Sequence, residues 1–369
     1  MTGTTGGNSL DGGGVSLADP LVLAHGPALA NRFMLAPLTN SQSNEDGTLG
    51  EDEYRWLIGR AKGGFGLTMT CAAHVQRSGK AFKGQLGIWS DDHLPGLTRL
   101  AQGIAEAGSV SAVQLHHGGL RASESDCGMV CPWDDAETGA RALTTGEVEQ
   151  VIEDFVLAAL RAEKAGFQGV ELHGAHNYLF GQFLESGNVR RTDQYGGSLE
   201  NRQRMLFAVI DGIRGRCGAD FQLGLRLSPE RHGIPTAEAR LTAERVMLSG
   251  KVDYLDMSLW DVFKRPVEPE FADHRLIDLF TGLPRGNCRL GVAGKITSAA
   301  TARACLDAGA DFVLIGRGAI LHHDFPRRAL ADPGFESVPR PVSRDHLRAE
   351  GLSEPFIEYM TTFKDFVAA

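Results

Sequence analysis

Short apolar runs recur along the chain, and each of them follows a glycine. Examples are GSVSAVQL (108–115), GFQGVELH (166–173) and GADFVLIG (309–316). A glycine suits the end of a helix, where a positive φ is often required. Runs that are apolar on both faces are typical of parallel strands covered by helices. The pattern therefore predicts an α/β protein in which helices and strands alternate.

The stretches between these runs have helical periodicity. Thr144 and Glu147 predict a capping box at the start of one helix, which continues to Lys164. The apolar positions of that helix recur along one face, at Val148, Ile152, Phe155 and Ala159.

Counting the repeating units predicts eight strands, at 32–37, 66–71, 110–115, 168–173, 221–227, 252–257, 288–292 and 312–315. Eight βα units favour a single closed (β/α)8 TIM barrel. An open doubly wound sheet would usually carry a GxGxxG turn after an early strand, and the sequence has none. Long loops are predicted after strands 3 and 4, at 118–143 and 174–198.

The barrel is predicted to occupy residues 17–335. Residues 1–16 are rich in small and polar residues and lack the features of a signal peptide, so we expect a disordered tail. Residues 336–369 form a C-terminal extension that we expect to pack on the barrel or on a partner subunit.

Composition excludes several classes of protein. A net charge of −9 without a basic stripe argues against nucleic acid as a partner. No apolar run approaches the roughly 18 residues of a membrane span. The six cysteines form no CxxC pair, which favours reduced thiols in a cytoplasmic protein.

The stretch HGAHNYLF (173–180) begins at the last residue of the fourth predicted strand and carries His173, His176 and Tyr178. Two imidazoles can bind a developing oxyanion, and a phenol can deliver a proton. The two histidines could instead ligate a metal, but no third ligand accompanies them, and no metal site is predicted. Tyr178 could also be a packed aromatic residue.

The ends of the last two strands suggest a phosphate site. Gly294 follows strand 7, and Gly316 and Arg317 follow strand 8, where barrels commonly hold phosphate. The alternative is a turn beside a surface cation. Arg226, on strand 5, is either a site residue or a structural ion pair.

Several motifs together resemble the Old Yellow Enzyme family of FMN-dependent NAD(P)H ene-reductases over about residues 17–330. They are NRFMLAPLT (31–39), GIWSDDH (87–93), VQLHHGG (113–119), ELHGAHNYL (171–179), RTDQYGGSLENR (191–202), LRLS (225–228) and FVLIGRG (312–318). The family fold is the barrel already counted from the pattern.

The resemblance implies noncovalent FMN, reduction by NADH or NADPH, and ping-pong hydride transfer to the activated C=C bond of an α,β-unsaturated carbonyl compound. It implies that His173 and His176 bind the substrate oxygen and that Tyr178 donates the proton. The cofactor-binding residues that it implies are Pro37, Leu38, Thr39, Ala72, Gln114, His173, Arg226, Gly294, Gly316 and Arg317.

The chain departs from many relatives at Cys71, Leu120 and Val189, where they carry an acidic residue, Arg and Asn. The substrate, the choice between NADH and NADPH, and the oligomeric state remain open, and a homo-oligomer is possible. The alternative function is a non-redox barrel aldolase or isomerase acting on a phosphorylated substrate. An aldolase would want a buried lysine at a strand end, and Asp256-Met257-Ser258 offers none.

Overall fold

The computed structural model describes residues 14–368 and contains a closed barrel of eight parallel strands. These strands are β1 (Phe33–Leu35), β2 (Leu67–His74), β3 (Val110–His116), β6 (Gly169–Gly174), β7 (Gln222–Leu227), β8 (Tyr254–Ser258), β9 (Arg289–Ala293) and β10 (Phe312–Ile315). They neighbour one another in chain order, and β10 pairs with β1 to close the barrel. The predicted (β/α)8 barrel is therefore confirmed. Two short strands, β4 (Val130–Cys131) and β5 (Arg141–Ala142), pair outside it, within the long loop after β3.

The helices lie between and after the strands. They are α1 (Glu51–Lys62), α2 (Leu94–Glu106), α3 (Thr145–Lys164), α4 (Leu179–Leu184), α5 (Leu199–Arg216), α6 (Thr236–Leu248), α7 (Asp278–Thr281), α8 (Ala299–Asp307), α9 (Arg317–Leu321), α10 (Phe325–Ala331), α11 (Arg344–Ala349) and α12 (Glu354–Thr361). The predicted capping box is present at the start of α3. The Glu147 amide donates to Thr144 Oγ1 at 3.2 Å, and the Thr144 amide donates to Glu147 Oε2 at 2.8 Å.

β2 extends three residues beyond its predicted end, to His74. Its register against β3 shifts between Met69 and Ala72, as in a β-bulge. Bulges are common beside active sites, where they redirect side chains. Here the irregularity lets pairing continue, so that Ala72 lies opposite Gln114.

Large aromatic side chains opposite glycines fill the barrel interior. Tyr254 and Phe312 are buried with their rings 5.8 Å apart. A Cβ on Gly224 would lie 2.1 Å from the Tyr254 ring, and one on Gly291 would lie 2.0 Å from the Phe312 ring. The interior is thus a packed core rather than a channel.

The segment before β1 closes the amino-terminal end of the barrel. Leu21 and Leu29 form an antiparallel bridge and join the interior core. The His25 amide donates to Asp253 Oδ1, just ahead of β8, at 3.1 Å. The carboxyl ends of the strands are therefore the end available for a site. Residues 1–13 of the predicted tail lie outside the described residues.

The C-terminal extension contacts its own barrel. The Phe356 and Trp56 rings meet edge to face at 5.5 Å, and Ser353 Oγ donates to Gln42 Oε1 at 2.7 Å. His346 Nε2 lies 2.9 Å from the Leu321 carbonyl oxygen. These contacts fix α11 and α12 beside the first and last βα units.

Two absences apply to residues 14–368. None of their helices is both long and apolar enough to cross a membrane. They also contain no group of three or more His, Cys, Asp or Glu side chains placed to hold a metal ion.

Candidate active site

A cavity of about 300 Å³ lies at the carboxyl ends of the strands. Predicted site residues that line it are Pro37, Leu38, Thr39, His176, Arg226, Gly294, Gly316 and Arg317. The remaining predicted residues, Ala72, Gln114, His173 and Tyr178, are not among its lining residues. His173 pairs with Arg226 and its ring contacts that of His176, whereas Tyr178 contacts the His173 ring. Ala72 and Gln114 pair with each other on the neighbouring strands β2 and β3.

Strand register explains how distant residues meet beside the cavity. Ala72 lies opposite Gln114 on the β2–β3 pair, and His173 lies opposite Arg226 on the β6–β7 pair. All four side chains are buried. Because parallel strands present their carboxyl ends at one rim, these positions converge there.

The turn after β6 places His176 and Tyr178. His176 and Asn177 both have left-handed backbone, with φ of 60° and 61°. Such conformations cost free energy outside glycine, although His and Asn tolerate them better than most residues. Gln182 Nε2 supports the turn by donating to the Asn177 carbonyl at 2.8 Å and to the Gly118 carbonyl at 3.2 Å. This amide therefore ties the loop after β3 to the loop after β6.

The three predicted catalytic rings form one cluster. The His173 ring centroid lies 5.1 Å from that of His176 and 4.9 Å from that of Tyr178. His116 joins them, 4.2 Å from Tyr178. His176 Nε2 lies 2.8 Å from Ser258 Oγ at the end of β8.

Burial sets the protonation of this cluster. It lowers the pKa values of His173 and His176 well below the ordinary value for histidine, and neighbouring cations lower them further. Burial raises the pKa of Tyr178, and the charge of Arg121 acts in the opposite direction. At neutral pH the cluster therefore holds neutral imidazoles and a protonated phenol, which are hydrogen-bond donors without charge.

Arg226 shares its buried position with two carboxyl groups. Its Nε lies 2.8 Å from Asp256 Oδ2, and Glu171 Oε1 accepts from Gln114 Nε2 at 2.8 Å. Burial raises the pKa of Glu171 to about 8 and that of Asp256 to about 6. Arg226 therefore forms a buried ion pair with Asp256 and also lines the cavity.

Arg317 provides a test of whether the cavity suits a phosphate. The side chain is half-buried, and burial together with the nearby charge of Arg340 lowers its pKa. Neither arginine has a carboxylate partner within 4 Å in the described part of the chain. Arg317 lies beside Gly316 and Gly294 at the cavity, and this arrangement fits a phosphate group, which would neutralise the arginine. The donor set is thus compatible with FMN.

Several residues that line the cavity were not predicted from the sequence. Ser258 is the last residue of β8 and Trp260 follows that strand, and Ser258 could have been found by examining the strand end. Tyr359, Met360 and Phe363 come from α12 and the residues after it. Nothing in their local sequence indicates a site, because only the path of the C-terminal extension brings them there.

Two of the departures from the family pattern have clear surroundings. Cys71 is buried in the same core cluster as Trp56 and Leu57 of α1, and the charge of the nearby buried Glu53 carboxyl helps burial to raise the pKa of its thiol. Leu120 packs with Cys131 and Trp133 under the long loop after β3. Both side chains belong to packing outside the cavity.

Comparison with known proteins places the chain in a family. The model of the NADH:flavin oxidoreductase / NADH oxidase family matches residues 16–332. The chain is 36% identical over 313 residues to a probable NADH-dependent flavin oxidoreductase, YqiG, of Bacillus subtilis, covering 82% of this chain and 84% of that protein. It is 32% identical to an NADPH dehydrogenase of Halalkalibacterium halodurans, covering 84% and 92%.

A solved structure gives the same result for the fold. The Old Yellow Enzyme homologue from Zymomonas mobilis superposes with a TM-score of 0.77 at 26% identity, covering 92% of this chain and 99% of that one. The family match spans most of the barrel and includes the strand ends that build the cavity. The chain therefore belongs to the Old Yellow Enzyme family of NADH:flavin oxidoreductases and is an NAD(P)H-dependent flavin oxidoreductase.

Proposed function

We propose that this protein uses NAD(P)H to reduce the activated C=C bond of α,β-unsaturated carbonyl compounds, with noncovalent FMN as the hydride carrier. The observation that carries the proposal is the ring cluster of His173, His176 and Tyr178 beside the cavity. It combines neutral N–H donors with a protonated phenol at one rim of the barrel. Reduction of an enone can use both, since the N–H donors bind the carbonyl oxygen and the phenol supplies a proton.

The histidines bind the substrate carbonyl. Hydride addition to the β-carbon places negative charge on the carbonyl oxygen, and N–H donors stabilise that charge. The contact between His176 Nε2 and Ser258 Oγ holds the ring in one orientation. His173, whose ring stands perpendicular to that of His176, supplies the second donor.

Tyr178 supplies the proton that completes the reaction. Its hydroxyl transfers a proton to the α-carbon, and solvent then restores the phenol. Because burial raises its pKa, the residue is protonated at neutral pH and ready to donate.

The other cavity residues hold the cofactor. Bound FMN would accept a hydride from NAD(P)H and pass it to the alkene. Arg317, Gly316 and Gly294 would hold its phosphate, while Pro37, Leu38 and Thr39 would line the space for its ring. Ala72 and Gln114 would hold the polar edge of the ring system. Arg226 would stabilise the negative charge that accompanies reduction.

The aldolase alternative lacks its central residue. Lys295 is the lysine that lines the cavity, but its side chain is exposed and its Nζ lies 2.9 Å from Asp261 Oδ2. A lysine that forms a Schiff base instead requires desolvation that lowers its pKa. The cavity therefore favours the redox function.

The test uses the purified protein and its absorbance spectrum. We expect a flavin spectrum, FMN in the supernatant after the protein is denatured, and anaerobic bleaching by NADH or NADPH. Both nucleotides are needed because the relatives' names differ on this point. Anaerobic 2-cyclohexenone should then restore the oxidised spectrum.

Two results would overturn parts of this proposal. Protein that contains no flavin and cannot bind added FMN would remove the cofactor assignment. A flavin that NAD(P)H reduces, but that no activated alkene reoxidises, would remove the substrate class alone.

A further inference from the structure

Arg121 lies against the proposed proton donor. It ends the 3₁₀ turn Gly119–Arg121 that follows β3, and its guanidinium carbon lies 4.9 Å from the centroid of the Tyr178 ring. Its Nη1 donates to the His176 carbonyl oxygen at 2.7 Å. The side chain is thus held by the same turn that carries Tyr178, although Arg121 is an exposed residue.

The charge of Arg121 has no local counter-ion. Among residues 14–368, no Asp or Glu oxygen lies within 4 Å of its guanidinium. An arginine that is anchored by a backbone carbonyl and lacks a carboxylate keeps its full positive charge for its neighbours. The nearest aromatic face is that of Tyr178.

The other titratable groups around Tyr178 carry no charge of their own at neutral pH. His116 on β3 and His173 on β6 contact the phenol ring, and burial lowers the pKa values of both well below the ordinary value. Tyr359 on α12 adds a second phenol, whose pKa burial raises. Arg121 is therefore the charged group that acts on Tyr178 in the described part of the chain.

We propose that Arg121 is a positioning residue that stabilises the phenolate left on Tyr178 when its proton moves to the substrate. The inference rests on the proposed function. In that step the O–H bond of Tyr178 breaks and a C–H bond forms at the α-carbon, while the hydride at the β-carbon has brought both electrons. The phenolate keeps the O–H electron pair beside the guanidinium until water returns a proton.

An opposite charge favours the charged form of its neighbour. Without Arg121, burial would act alone and the pKa of Tyr178 would rise further. Because Arg121 is exposed, salt should screen the effect.

The first experiment measures Tyr178 directly, without turnover. Purified wild type, Arg121→Gln and Arg121→Lys are titrated with base, and tyrosinate absorbance is recorded. The same titration of each protein with Tyr178→Phe added is then subtracted. We expect Tyr178 to titrate at higher pH in Arg121→Gln and near the wild-type pH in Arg121→Lys. Arg190 is an exposed arginine of the loop after β6, and its guanidinium lies over the Trp133 ring. The control variant Arg190→Gln should leave the titration of Tyr178 unchanged.

The second experiment separates the half-reactions. Arg121→Gln should slow reoxidation by 2-cyclohexenone about five- to tenfold, since a weaker acid transfers its proton more slowly. Flavin reduction by NAD(P)H should change less than about twofold. Arg121→Lys should recover most of the lost rate.

An unchanged Tyr178 titration in Arg121→Gln, or a loss that lysine fails to restore, would overturn the proposal. If Arg121→Gln does not fold, a salt titration of the wild type decides instead. Added salt should raise the pH at which Tyr178 ionises, and insensitivity to salt would count against Arg121. Because the titration needs no alkene, it remains informative even if the proposed substrate class is wrong.

Discussion

Burial, rather than any unusual residue type, gives the ring cluster its chemical character. A histidine in water is partly cationic near neutral pH, but His173 and His176 are held neutral beneath the cavity. Neutral imidazoles can bind a carbonyl oxygen without holding a counter-ion in the site. The phenol of Tyr178 remains an acid for the same reason, since burial penalises its charged form.

The Tyr178 hydroxyl should matter for flavin reoxidation by an alkene but not for flavin reduction by NAD(P)H. Tyr178→Phe removes the acid with little change in shape. Loss of a general acid typically costs about 10²–10⁴ in rate. We expect stopped-flow absorbance to show near-normal reduction by NAD(P)H and slow reoxidation by 2-cyclohexenone.

Quinones provide the control for that variant, because their reduction needs no proton on carbon. Their reaction with Tyr178→Phe should stay close to the wild-type rate. Alkene reoxidation within a few-fold of wild type would instead mean that solvent or a histidine supplies the proton.

At the scale of elements, α12 holds one wall of the cavity in place. Phe356 and Ile357 are fully buried, and the next turn presents Tyr359 and Met360 to the cavity. The edge-to-face contact of Phe356 with Trp56 anchors the helix on α1. The residue that anchors the helix, Phe356, and the residues that line the cavity, Tyr359 and Met360, thus belong to the same short helix.

Phe356→Ala should therefore destabilise the protein strongly, while Phe363→Ala should not. Phe→Ala changes in a core typically cost about 3–5 kcal/mol of unfolding free energy. Phe363 is 42% exposed, and exposed positions usually change stability by only about 0.5 kcal/mol. Urea denaturation of both variants measures the difference. Equal losses would show that α12 is not anchored through Phe356.

The same scale shows what the sequence could and could not predict. All eight barrel strands follow from short apolar runs, because a strand covered on both faces leaves a local signature. His173, His176 and Arg226 were found because they stand at or near strand ends. Tyr359 and Met360 were not, because their place at the cavity depends on how the extension folds back. Pairing of that kind is nonlocal and leaves no periodic pattern.

At the scale of the whole molecule, stability should respond to the buried carboxyl groups. The pKa of Glu171 is raised from 4.5 to about 8, so the folded protein binds a proton there that the unfolded chain releases above about pH 4.5. Stability from this group is present at low pH and is lost as the pH rises toward 8. The contribution of Glu147 to stability depends on pH in the opposite direction, because Arg141 lowers the pKa of its carboxyl to about 2.

Two matched variants test that difference between pH 5 and 9. The unfolding free energy of Glu171→Gln, relative to wild type, should rise with pH by up to about 1.4 kcal/mol per unit until about pH 8 and then level off. Glu147→Gln should be less stable than wild type by a constant amount across the same range. Parallel pH profiles for the two variants would contradict the raised pKa of Glu171.

One wall of the cavity is synthesised after all the barrel strands. The last barrel strand ends at Ile315, but Tyr359, Met360 and Phe363 leave the ribosome only later. A nascent chain can thus close its barrel while one side of the cavity is still missing. A protease that cuts the exposed connection at 332–334 would leave that wall held only by the noncovalent contacts of α11 and α12. We therefore expect occupancy of the cavity to depend on residues that are synthesised after the last barrel strand.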